Sequence, residues 1–170
     1  MTTLVLTVVG ADRAGLVAAV ADVVDAHGGN WENSQLAELS GAFAGIIEVS
    51  VPRERLEELR EALAGLDGML TVTAHASDGT RDAADPRLFA FRVLGNDHPG
   101  IVREISSALS AQSLSIERMS SETYDAAMAG GRLFEAVIAV RVPASVDVDD
   151  VQRALEELAA EIQVDVTLEP

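Results

Sequence analysis

The chain contains no cysteine and no lysine. Without thiols it can form no disulfide, no thiolate metal site and no cysteine nucleophile. All 12 basic residues are arginine, set against 28 acidic ones, for a formal net charge of −16. Such a surface repels phosphate backbones, which proteins meet with clustered Lys and Arg, and no basic stripe interrupts it. Direct binding of DNA or RNA is therefore not expected. The same charge also favours solubility. No apolar run approaches the ~20 residues that span a bilayer; Asp22 and Asp25 break the longest candidate. The start, MTTLVLTVVG, lacks a basic segment and a small-residue cleavage pattern, so a cytoplasmic protein without a membrane partner is expected. There is no G-x-G-x-x-G and no Walker loop. His27, His75 and His98 lack metal-ligand spacing. The acidic run SVDVDD at 145–150 lacks the glycine and terminal glutamate of an EF-hand loop, and reads as negative charge on the first turn of a helix. No metal or cofactor is expected.

What is present is a repeat. VVGADRAGLV at 8–17 and VLGNDHPGIV at 93–102 share the skeleton V-[VL]-G-x-D-x-x-G-[LI]-V. Gly10 and Gly95 lie 85 residues apart, half of the 170-residue chain, which suggests one supersecondary unit used twice. With 48% hydrophobic residues each half can build an ordered core.

In the first half, residues 3–9 are apolar and β-branched and predict a buried strand. Leu16, Val17, Val20, Val23 and Val24 form one stripe and predict a helix over 14–27, stopped by HGGN, where glycine suits the left-handed cap. Strands over 30–39 and 42–51 with Gly41 between them predict a hairpin. Leu56, Leu59 and Leu63 predict an amphipathic helix over 53–65, and 69–76 a last strand. Residues 77–86, SDGTRDAADP, read as a linker. The second half repeats the order: strand 87–94, helix 99–112, strands 115–123 and 132–142, helix 147–160, strand 162–169. Pro52 and Pro143 each end a strand but lie 91 residues apart, so the second hairpin is six residues longer. The extra length falls in SETYDAAMAGG at 121–131 and reads as a hairpin tip, where Tyr124 and Met128 are candidates for contact with a partner. Each half is thus a βαββαβ unit, an α+β fold of ferredoxin-like type with helices on one face of an antiparallel sheet. The domains are expected at 1–76 and 87–170. An apolar open face needs a cover, which a second unit supplies by stacking or by extending the sheet edge.

The repeated loop between first strand and first helix carries the candidate chemistry. Asp12 and Asp97 precede the helix, so one reading makes them helix caps, with Pro99 suited to the first turn. Gly15 and Gly100 fit that reading poorly, because glycine inside a helix costs ~1 kcal/mol against alanine; a small residue there suggests close approach by a backbone or a ligand. Helix N-terminal N–H groups receive a carboxylate, and an adjacent side-chain carboxylate holds an ammonium group. Together they outline a free amino acid. His98 beside Asp97 reads as a loop histidine, since neighbouring residues rarely share acid–base geometry. Trp31, the only tryptophan, reads as packing.

The G-x-D-x-x-G-[LI]-V loop inside a βαββαβ unit resembles the ACT domain, a regulatory amino-acid-binding module. Two such units over roughly 3–76 and 87–169 are similar to the glycine cleavage system transcriptional repressor family. The resemblance implies an effector lying between two units. Its contacts would be Asp12, Gly15 and Leu16 in the first loop, Asn96, Asp97, Gly100 and Ile101 in the second, and Asn30 and Ser115 at the starts of the second strands. The sequence departs from the pattern: many members carry Asn in place of Asp12 and Asp97, and Ala14 stands where the second loop keeps Pro99. The second loop matches better and is the primary expected site. Two units account for the chain, so an enzyme is not expected. The chain is read as a sensor of a small amino acid, glycine by resemblance, acting through a protein partner, with a homodimer as one possible assembly. A ligand-free adaptor is the alternative.

Overall fold

The structure is a computed structural model, which describes residues 1–77, 87–127 and 130–168. It divides into two compact units, Met1–Arg81 and Asp82–Pro170. Apart from Ser77, the expected linker lies outside the described residues, as does Met128.

The first unit runs β1 (Thr2–Ala11), α1 (Leu16–Ala26), β2 (Asn30–Leu39), β3 (Ala42–Val51), α2 (Leu56–Ala64) and β4 (Thr71–Ala76). Its antiparallel sheet has the order β2-β3-β1-β4. The second runs β5 (Arg87–Asn96), α3 (Ile101–Ala111), β6 (Ser115–Asp125), β7 (Arg132–Val142), α4 (Val148–Glu161) and β8 (Val164–Leu168), in the order β6-β7-β5-β8. These are the two ferredoxin-like units that the hydrophobic periods predict.

Alternation places one set of residues on each sheet face. In the first unit Leu4, Leu6 and Val8 of β1 and Ile47, Val49 and Val51 of β3 are buried against Leu16, Val20 and Val24 of α1 and Leu59 and Leu63 of α2. In the second, Phe91 and Val93 of β5 and Phe134, Ile138 and Val140 of β7 meet Ile101, Ile105 and Leu109 of α3 and Leu155 and Leu158 of α4. The opposite face of each sheet carries no helix of its own unit. The two β-bulges keep the repeat: the register shifts between Trp31 and Asn33 in β2 and between Ile116 and Arg118 in β6.

Most element ends shift by one or two residues from the sequence reading, and two departures are larger in kind. Arg53–Arg55 form a 3-10 turn ahead of α2 rather than its first turn. The longer second hairpin is not all tip, because β6 continues to Asp125 and pairs with β7 throughout, leaving 126–131 as the connection. Tyr124 therefore lies in a strand, where its hydroxyl donates to Glu135 Oε2 at 3.1 Å. That bond raises the Tyr124 pKa, with desolvation and the negative charge of Glu135 adding to it.

Candidate functional site

Both repeated loops are built the same way. The Asp12 N–H donates to Gly41 O and the Asp97 N–H to Arg132 O, each at 2.8 Å, which ties the loop to the hairpin beside it. The backbone then turns through Gly15 (φ 92°, ψ −2°) and Gly100 (φ 96°, ψ −3°). With Pro99 ahead of it and Ile101 N–H donating to His98 O at 3.3 Å, Gly100 sits at the third position of a type II turn, which requires positive φ. A Cβ built on Gly15 would meet nothing within 4 Å, and one on Gly100 would meet only the Arg103 and Glu104 side chains, at 3.8 Å or beyond.

This geometry corrects the reading of both residue types. Gly15 and Gly100 are not inside the helix and are not glycine for lack of space. They precede the helix, and their backbone conformation excludes a Cβ at low cost. Close approach explains the first glycine of each motif instead. A Cβ on Gly10 would lie 2.8 Å from Met69 O, and one on Gly95 would lie 2.5 Å from Val164 Cγ1. Asp12 and Asp97 are not caps either, because Gly15 and Gly100 hold the cap position and neither helix has a side-chain cap. The first intrahelical bonds run from Ala19 N to Gly15 O (2.9 Å) and from Glu104 N to Gly100 O (3.0 Å). N–H groups of the first turns are thus left without side-chain acceptors.

The two loops differ in what surrounds them. Asp12 is exposed and Asp97 half-buried, and no side chain among the described residues bonds either carboxylate. His98 turns to Glu104, with Nε2 3.6 Å from Oε2, and not to Asp97. Arg103, which sequence reasoning passed over, places its guanidinium beside Gly100. Its signal was the three-residue spacing that puts it on the loop side of the first helical turn. The corresponding residue in the first unit is Ala18. A cavity of about 620 Å³ between α3 and α4, lined by Arg103, Glu104, Ser107 and Leu158 among others, opens next to this loop. Among the described residues no group of three or more His, Asp or Glu is arranged to hold a metal.

The structure places the remaining candidates apart. Leu16 and Ile101 are 2% and 3% exposed, so their side chains belong to the cores and only their main chain faces the loop. Asn96 is exposed at the end of β5, paired with Leu133. Asn30 pairs with Ser50, which pairs with Thr3, whereas the loop begins beyond Gly10. Seven residues of β1 separate the two rows, about 23 Å at ~3.3 Å per residue. Ser115, through Arg141 and Leu88, is set equally far from Asp97. Asn30 is also engaged, its amide donating to Glu32 Oε1 at 3.1 Å. The Ser50 hydroxyl donates to the same oxygen at 2.5 Å. These two bonds, Ser50 first, lower the Glu32 pKa. Within one unit, loop and second-strand start cannot touch one small molecule.

Comparison with known proteins agrees with this architecture. Residues 2–77 match the ACT domain family. The glycine cleavage system transcriptional repressor of Escherichia coli K12 is 25% identical over 161 residues, covering 94% of this chain and 85% of that one. The crystal structure of an unknown protein from Galdieria sulphuraria superimposes with a TM-score of 0.86 at 28% identity, covering 99% of this chain and 97% of the other. A provisionally assigned glycine cleavage system transcriptional repressor shares the fold, with a TM-score of 0.75 at 18% identity over 99% and 96% of the two chains. Residues 2–77 match the ACT domain family, the second unit repeats their ferredoxin-like fold, and the chain as a whole resembles the glycine cleavage system transcriptional repressors.

Proposed function

We propose that the chain is a cytoplasmic regulatory sensor that binds a small free amino acid at its second loop and reports the bound state to a protein partner. The observation that carries this reading is the pairing, at 97–101, of a helix N-terminus without a side-chain cap and an aspartate without a side-chain partner. N–H groups of the first turn of α3 receive the carboxylate, and Asp97 receives the ammonium. Arg103 adds a positive charge on the first turn of α3, where the first unit has Ala18 and carries its arginine, Arg13, in the loop instead. Because Asn30 and Ser115 lie at the far end of their sheets, a second-strand contact has to come from another unit. Glycine is the first candidate ligand, from the name of the relative, followed by serine and other small amino acids. The relative is a transcriptional repressor; with a net charge of −16 this chain would act on transcription through a protein and not by touching DNA. Ligand binding shifts the chain toward the state that binds it more tightly, and the partner reads that state.

The test is a thermal-shift screen against the twenty amino acids at millimolar concentration, followed by calorimetry. A ligand of the native state raises the melting temperature by mass action. Asp97→Ala removes the ammonium partner without removing a helix cap, so stability should change by less than about 0.5 kcal/mol. Affinity should fall about 10- to 100-fold, the worth of a charged hydrogen bond. No shift with any amino acid would replace the sensor by a ligand-free adaptor.

A further inference from the structure

The helix side of the second unit carries a groove. At its loop end, the cavity of about 620 Å³ lies between Arg103, Glu104 and Ala108 of α3 and Leu158 and Glu161 of α4. At its far end, a cavity of about 420 Å³ lies between Ala111 of α3 and Asp150, Ala154 and Glu157 of α4. The start of α3 thus shares a cavity with the end of α4, so the two helices run antiparallel and the cavities lie end to end between them. Every lining residue belongs to the second unit, which builds the groove by itself. Alanines 108, 111 and 154 keep the floor low, which lets a further helix approach closely. The 14 residues of α4 give the groove a length of about 21 Å. The charges on the α4 wall do not serve α4. Glu157 and Glu161 stand four residues apart, where like charges repel. They also lie toward the C-terminal end, which is itself negative and suits a cation, yet the last turn holds no basic residue. Neither carboxylate has a side-chain partner among the described residues. Arg153 is taken by Asp150 at 3.1 Å, and Glu104 faces His98.

We propose that this groove docks a basic amphipathic helix of the protein partner. The mode is a helix laid into a groove, with an apolar ridge on the floor and charges at the rim. Charge complementarity selects the occupant. Lysines or arginines one turn apart on the docked helix meet Glu157 and Glu161 and relieve their mutual repulsion. The chain cannot supply such a helix from its own first unit or from a second copy. Residues 1–81 hold 12 acidic residues against 5 arginines, residues 82–170 hold 16 against 7, and none of α1, α2, α3 and α4 has a positive net charge. The first unit also lacks the groove's charges on its own first helix, where Ala18 and Ala19 stand at the positions of Arg103 and Glu104. Loop and groove share Arg103 and Glu104, so a ligand at the loop changes the charge at one end of the groove. The inference rests on the reading that the chain acts through a protein partner, and it does not need the amino acid.

The test is fluorescence anisotropy of the full chain at physiological salt, without amino acid. The probe is a labelled synthetic helix with a leucine–alanine ridge and lysines one turn apart. Its control is a scrambled peptide of the same composition. The helix should bind at least tenfold more tightly than the scramble. Glu157→Lys with Glu161→Lys should raise its dissociation constant at least tenfold. Glu57→Lys with Glu61→Lys, the same charge change at the same spacing on α2, should raise it less than twofold. The groove variant should melt no lower than wild type, because it sets cations at the C-terminal end of a helix, so lost binding is not lost folding. Ala154→Phe, which fills the groove without changing charge, should weaken binding as well, with circular dichroism checking its fold. No binding, equal binding of the scramble, or equal loss in the α2 control overturns the proposal. Asp97→Ala should leave this titration unchanged, so its failure and that of the amino-acid screen are read separately.

Discussion

Single residues carry the asymmetry between the two loops and several sharp tests. Gly100 adopts φ 96° because a type II turn demands it. Gly100→Ala should therefore cost about 1–2 kcal/mol, the penalty of a left-handed L-residue, read by urea denaturation. A Gly100→Ala variant as stable as wild type would show that the turn relaxes to another type. Tyr124 is the only tyrosine, so the near-ultraviolet phenolate signal reports it alone. Because Glu135 accepts its proton-bearing bond, its pKa is raised, and the sign follows. Stability from this bond is fully present below the ordinary tyrosine value and is lost as pH rises through the raised folded value. The phenolate transition should lie above that of a free tyrosine, and Glu135→Gln should move it back down. At this scale much was legible. The D-x-x-G pairs, the leucine stripes and the lone Trp31 show in the letters. The reasons for the glycines did not, because φ and the nearness of Met69 O or Val164 to Gly10 or Gly95 are properties of the folded backbone.

At the scale of elements, helix starts differ in how they are capped. α4 begins at a true side-chain cap: Asp147 Oδ1 accepts from Asp149 N at 3.1 Å, with Asp149 and Asp150 in the first turn. Asp147→Ala should lose about 1 kcal/mol, measured by chemical denaturation. The same substitution at Asp97 should not, since its side chain caps nothing. Comparing the two variants separates a cap from a site. The SVDVDD run was legible as helix-start acidity because capping is local. The loop aspartates looked like caps by the same rule and are not, because the chain makes a further turn after them before the helix begins. Strand lengths in the first hairpin were legible, since Ser40 (φ 52°) and Gly41 (φ 84°) close a two-residue connection. In the second hairpin the register carried β6 on to Asp125, and pairing with β7 outweighed the turn-rich composition.

For the whole molecule, charge is the governing quantity. No helix among the described residues is long and apolar enough to cross a membrane. A net charge of −16 repels itself when compact, and salt screens that repulsion over about 10 Å at 0.1 M. The melting temperature should rise by a few degrees between low and physiological ionic strength in a dilution series. A fall would mean that favourable pairs such as Arg141–Glu117 outweigh the net repulsion.

The sequence by itself determined the duplication, the βαββαβ order of each unit, the residues of both cores and the two loops where chemistry concentrates. It did so because periods of 2 and 3.6, turn residues and a repeated motif are local or nearly local signals. Only the tertiary structure decided that Asn30 and Ser115 stand at the far end of the sheet from Asp12 and Asp97. Only the tertiary structure decided which side chains share an open face. Both follow from antiparallel register, which sets residues far apart in the chain side by side and moves near ones to opposite ends.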